Sequence, residues 1–301
     1  MLSIDFGAGR RLLLLSAAFL VGCGAFAIFQ AASGHFLPHD AVYLGMSAPQ
    51  LCALDDCRIL HFTIHDRVSF GGVLVAIGVL YLWLALFPLV RMESWSWWTL
   101  AWSGFAGFLS FLAYLGYGYL DTWHGAATLL LLPVFVAGLV RARGLRRERV
   151  EPEALDLRSA AGVGRALLLL SSVGIGAAGL TIMTVGMTSV FVPQDLAFMG
   201  TTRSAISAIN PHLVPLIAHD RAGFGGALVS FGVAMFGCVR YARPSRALFQ
   251  TLTLAGVAGF STAVGVHPAI GYVSFTHLAP AVLGCVVFAA GLAFAIRGSR
   301  G

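Results

Sequence analysis

A chain of 301 residues ordinarily makes one large soluble domain or two small ones, but this one is 58% hydrophobic and only 11% charged, with mean hydropathy +0.85. Soluble domains run near 45–50% apolar and about 25% charged, so that class is excluded. The formal charge of +6 comes from 19 basic residues, every one an arginine, against 13 acidic ones; it reports membrane topology and makes no case for nucleic-acid binding.

Apolar segments of bilayer-spanning length fall at 12–32, 67–89, 98–118, 122–140, 165–187, 221–239, 248–268 and 274–296. The expectation is an all-α polytopic membrane protein with eight transmembrane helices in the lipid bilayer. The first segment reads as a span, because Gly22, Cys23 and Gly24 sit inside a long apolar run with no polar exit. Arg10 and Arg11 precede it, Arg91 follows the second span, and six arginines from Arg141 to Arg158 lie between the fourth and fifth. Arg240, Arg243 and Arg246 follow the sixth, and Arg297 and Arg300 close the chain. With eight spans all of these share one side, so both termini are expected to be cytoplasmic. Two long loops, 33–64 and 188–219, then lie outside, and short hairpins join the remaining outer ends near 119–121 and 269–273.

The chain repeats itself. Phe36-Leu-Pro38-His-Asp40, ending at Gly45, matches Phe191-Val-Pro193-Gln-Asp195, ending at Gly200. His65-Asp66-Arg67 with Phe70-Gly71-Gly72 matches His219-Asp220-Arg221 with Phe224-Gly225-Gly226. Gly104-Phe-Ala-Gly107-Phe108 matches Gly256-Val-Ala-Gly259-Phe260, and Gly118-Tyr119 followed by His124 matches Gly271-Tyr272 followed by His277. The expected organisation is a first four-helix repeat over 1–140, a hydrated linker over 141–160 and a second repeat over 161–301. Four spans per half give both halves the same orientation, hence two tandem parallel four-helix bundles. Small residues at Gly104/Gly107 and Gly256/Gly259 permit close helix approach.

Each half places one histidine at the outer start of its second span, His65 or His219, and one at the outer start of its fourth, His124 or His277. Facing each other across a bundle, His65 with His124 and His219 with His277, two neutral imidazoles can hold haem iron from both sides. Arg67 and Arg221 can bind an anionic head group, a quinone oxygen or a haem propionate. Asp66 and Asp220 can accept a histidine N–H or cap a helix start. Charges so close to lipid are expensive and mark function. His61, four residues before His65, and His212, seven before His219, are accessory candidates, while Asp40 and Asp195 read as residues that shape the outer loops. Cys52 and Cys57, unmatched in the second loop, can close a small disulfide or act as a redox pair.

Taken together, the paired histidines and the duplicated spans resemble haem A synthase over nearly the whole chain. The resemblance implies two similar four-helix bundles, with one ligand histidine from each even-numbered span. Here these are His65, His124, His219 and His277, holding one or two haem b groups as a membrane oxidoreductase. It also implies Cys52 and Cys57 as the cysteine pair that bacterial members carry, in a bacterial-type cell membrane. That family places a glutamate three residues before its first ligand and an arginine directly after it; here Phe62 stands at the first place and Asp66 separates His65 from Arg67. The implied partners are haem, a quinone or another hydrophobic substrate, and a membrane redox partner. Two other classes suit the composition: a haem-free transporter or small-ligand carrier, and a non-catalytic membrane subunit of a redox complex.

Overall fold

The computed structural model describes residues 6–110, 119 and 122–299. Over these the chain is all-α, with twelve α-helices. They are α1 (Phe6–Ala32), α2 (Pro38–Leu44), α3 (Ala48–Asp55), α4 (Arg58–Leu86), α5 (Ser94–Ser110), α6 (Thr122–Ala142), α7 (Ala160–Met187), α8 (Pro193–Met199), α9 (Arg203–Ile209), α10 (Leu213–Tyr241), α11 (Arg246–Ile270) and α12 (Phe275–Gly298). Among the described residues seven helices are long and apolar enough to cross a membrane: α1, α4, α6, α7, α10, α11 and α12. A multi-pass membrane protein follows from them. The expected third span, 98–118, is described only to Ser110, and most of the expected hairpin at 119–121 also lies outside the described residues.

The eight-helix pair of tandem four-helix bundles is not what forms. Among the described residues seven membrane-length helices, α5 up to Ser110 and four short helices replace it, and the long helices do not sort by half. Around the array the order is α5, α6, α1, α4, α11, α12, α7 and α10, with α4 and α10 also meeting across the middle. Thus α11, from the second half, packs on α4, and α5, from the first, packs on α10.

The reason lies in small residues on the two central helices. Lipid gives helices no hydrophobic incentive to associate, so close backbone approach decides the contacts. On one side α1 lies on α4 where Gly24 and Gly71 meet: a Cβ on either would fall 2.5–2.7 Å from the other's carbonyl oxygen. Gly179 and Gly225 repeat that crossing between α7 and α10 at 2.5–2.6 Å. The exchanged helices use the opposite faces. A Cβ on Gly72 would stand 2.7 Å from the Ala258 carbonyl of α11, and one on Gly226 would strike Ser110 of α5. Serines clamp the second contact: Ser103 Oγ donates to the Ser230 carbonyl at 2.8 Å, and Ser230 Oγ to the Ser103 carbonyl at 2.9 Å. As a result α4 and α10 are largely buried, whereas the other five long helices are much less so and turn residues such as Phe29, Leu129, Val173 and Leu283 outward.

The two long loops, 33–64 and 188–219, carry short helices that cap one end of the array. α2 and α8 each begin with proline at the first turn and end on a glycine in the left-handed region, Gly45 and Gly200. Asp40 and Asp195, at the third position, accept the backbone N–H of Leu37 and Val192. A Cys52–Cys57 disulfide ties α3 to the start of α4. Both central helices also begin earlier than their apolar runs suggest, at Arg58 and Leu213, so His65 and His219 sit well inside helices, under the caps. At the opposite end the arginines collect, with Arg146 over the Trp97 ring at 4.4 Å.

Gly72→Val is expected to lower the melting temperature of the detergent-solubilised protein by several degrees, as overpacking by about 1–3 kcal/mol would. Gly125→Val, with open space around its Cα, should leave it within about a degree. Equal melting temperatures for the two would contradict the α4–α11 contact.

Candidate functional site

Beneath the caps, the repeated polar residues assemble crosswise. Arg67 donates through Nη1 to Asp40 Oδ2 at 2.6 Å and through Nε to Asp220 Oδ2 at 2.8 Å. Arg221 mirrors it, with Nη2 2.8 Å from Asp195 Oδ2 and Nε donating to Asp66 Oδ2 at 3.3 Å. Each guanidinium therefore joins the cap aspartate of its own half to the helix aspartate of the other half. Neighbouring residues on a helix point apart, which is why Asp66 and Arg67 find different partners. Tyr119 donates to Asp40 Oδ1 at 2.5 Å, and Tyr272 to Asp195 Oδ1 at 2.7 Å.

Electrostatics keeps these roles fixed. Burial works against ionisation of Asp40, but the Arg67 guanidinium and the bonds from Arg67 and Tyr119 outweigh it and hold the carboxyl below its ordinary value. Burial, and then the charge of Asp195, push the Tyr272 phenol up, so it remains a donor.

The histidines pair across the halves as well, so the expected partners are exchanged. His124 Nδ1 lies 2.9 Å from His219 Nε2, with near-parallel rings 5.2 Å apart. His65 meets instead His277, at 5.6 Å between ring centroids, and His267, at 4.5 Å. The exchange follows from the packing order, which sets α12 beyond α11 against α4. One ring nitrogen from each of His65, His267 and His277 lies within 4.8 Å of the other two, a cluster that could hold a metal ion. His65 Nδ1 is 3.1 Å from Asp66 Oδ1, and His277 Nδ1 is 3.8 Å from Asp195 Oδ1. His267 is buried with neither ring nitrogen in a well-formed hydrogen bond; the Ala263 carbonyl one turn back approaches only loosely.

His61 and His212 stand outside the cluster. His61 is half-buried one turn before His65, and His212 is exposed with its ring on Tyr43 at 4.4 Å. Asp40 and Asp195 are fully buried ion-pair partners, not only loop-shaping residues. The repeat held the signal for them and for Tyr119 and Tyr272, since each belongs to a duplicated motif. His267 had no such signal, because its matching position is Tyr114, which lies outside the described residues.

No protein-family model, no curated protein and no solved structure matches this chain.

Because the folded carboxyl of Asp40 is stabilised as the anion, its contribution to stability is complete above its ordinary value near 3.8 and is lost as pH falls through the lower folded value. Asp40→Asn should therefore show the same deficit in melting temperature at pH 7 and pH 5, and the deficit should shrink below that range. A deficit that grows on acidification would contradict the Arg67–Asp40 pairing.

Proposed function

We propose that this protein is an integral membrane metalloprotein whose centre is formed by His65, His267 and His277, and that its chemistry is that of an oxidoreductase. One observation carries the reading: three imidazoles from α4, α11 and α12 converge, and two of them direct Nδ1 toward carboxylates. Ligating histidines typically give their second nitrogen to a carboxylate or carbonyl, which fixes the ring and raises its basicity. Asp66 would do this for His65 and Asp195, at longer range, for His277, leaving each Nε2 for the metal. Three imidazoles suit iron, copper or zinc, and a redox role selects iron or copper. A bound metal would supply the electron chemistry; the chain would orient the ligands and shield the centre with the caps. The arginines at the opposite end support a topology with both termini cytoplasmic and this centre toward the outer face of a bacterial-type membrane.

Haem in a haem A synthase-like arrangement is the second reading, favoured by the near-parallel His124 and His219 rings. Iron held from both faces needs ring nitrogens about 4 Å apart, from two metal–imidazole bonds of about 2 Å. His124 and His219 share a hydrogen bond at 2.9 Å, so haem there would require them to part by about an ångström. His65 and His277 suit haem less well, because His267 contacts both rings.

Metal analysis of protein purified without a histidine tag is expected to give about one iron or copper per chain, falling to less than a tenth in His267→Ala. Asp66→Asn should weaken the affinity roughly 10–100-fold. Protein that neither carries nor takes up a transition metal would refute the centre. A Soret band with bis-histidine character, lost in His124→Ala and His219→Ala but kept in His267→Ala, would establish the haem reading at the other pair.

A further inference from the structure

Beside His124, on the side of the array away from the three-histidine cluster, helices α1, α4, α5, α6 and α10 line a partly open cavity of about 220 Å³. An apolar cavity of about 150 Å³ already takes a benzene-sized ring, and such spaces hold no stable water. The walls are almost wholly apolar and include Phe19, Phe26, Phe70, Leu74, Phe108 and Leu131. They run from Gln30 to Ser16 on α1 and from Arg67 to Tyr81 on α4, about 21 Å along each helix at 1.5 Å per residue. The charged groups gather at the capped end, where Gln30, His35, Arg67, His124 and Asp220 line the mouth, while the hydroxyls of Ser16, Tyr81 and Ser230 lie toward the other end. The space is therefore long and greasy, with its charge at one end.

The charges at that mouth select the head group. Arg67 is already bound to two carboxylates, Asp40 and Asp220, so the mouth has no excess positive charge to attract a fatty-acid carboxylate or a phosphate. The bonds to those carboxylates use Nε and Nη1, which leaves Nη2 to donate to a neutral oxygen. The Phe70 ring meets the His124 ring edge-on at 5.7 Å, and Trp123 also lines the cavity. A flat ring bearing carbonyl or hydroxyl oxygens matches both the aromatic walls and the neutral donors.

We propose that this cavity is a binding site for a long-chain quinone or quinol, its ring at the Arg67–His124 mouth and its chain running along α1 and α4 toward Ser16. The assignment does not depend on the metal reading, because the cavity and the three-histidine cluster share no residue.

The test uses the full-length protein in detergent, a benzoquinone with an isoprenoid chain, the same ring without the chain, and oleate. Two variants fill the cavity from different walls, Ala127→Phe on α6 and Ala27→Phe on α1; a melting curve shows which of them folds. Binding is read by quenching of tryptophan fluorescence, with Trp123→Phe identifying the contribution of the nearest reporter. The expected result is saturable binding of about one chain-bearing quinone, at least tenfold weaker in either folded filling variant and at least tenfold weaker for the chainless ring. Unchanged affinity in a folded filling variant would overturn the site. Oleate binding as tightly as the quinone would overturn the head-group assignment. Haem that copurifies and is lost in Ala127→Phe would assign the cavity to haem instead. Metal content is measured on the same samples: quinone binding without metal would refute the metal centre alone, and metal without quinone binding would refute this site alone.

Discussion

The structure depends on two arginines, Arg221 buried and Arg67 largely so, each held between carboxylates from different parts of the chain. A guanidinium in a low-dielectric interior must be paired, and removing one partner of such a pair costs about 3–5 kcal/mol. Arg67 meets this demand with Asp40 and Asp220, and Arg221 with Asp195 and Asp66. Had each arginine used only carboxylates of its own half, no ion pair would tie α4 to α10. The crosswise pairing instead brings them together at one depth and one rotation, with Arg67 and Arg221 on facing sides. The caps follow from the same requirement. α2 and α8 deliver Asp40 and Asp195 over the helix ends, where both carboxylates are fully buried.

The long helices and the duplicated motifs were legible in the sequence, because twenty-residue apolar runs and repeated His-Asp-Arg groups are local signals. The exchange of helices was not. Gly72 and Gly226 lie in repeated Phe-Gly-Gly motifs that announce close packing, but a glycine does not name its partner. It took Ala258 on one side and Ser110 on the other to show that α11 and α5 had crossed over. The true helix starts escape hydropathy for a related reason. Arg58 to Ile64 contains polar residues that hydropathy assigns to a loop, whereas the cap helices supply the cover that lets this turn remain helical. The exchange also explains why the histidines meet across the halves, His124 with His219 and His65 with His277.

The two equivalent places have diverged in a way that charge and space together make intelligible. Four aspartates surround two arginines in this network, so the formal charges do not cancel without another cation or a proton. On the α4–α11–α12 side, Asp66 and Asp195 also face His65 and His277, and His267 adds a third nitrogen that no hydrogen bond occupies well. A metal ion there would supply the missing positive charge where the carboxylates already support its ligands. On the α4–α10–α6 side, no third described histidine joins His124 and His219, and the adjacent volume is open and apolar. The repeated motifs put the same histidine, aspartate and arginine types in both places. One histidine more on one side, set against an open apolar space on the other, is the difference on which the two proposals rest, an ion in one place and a hydrophobic ligand in the other.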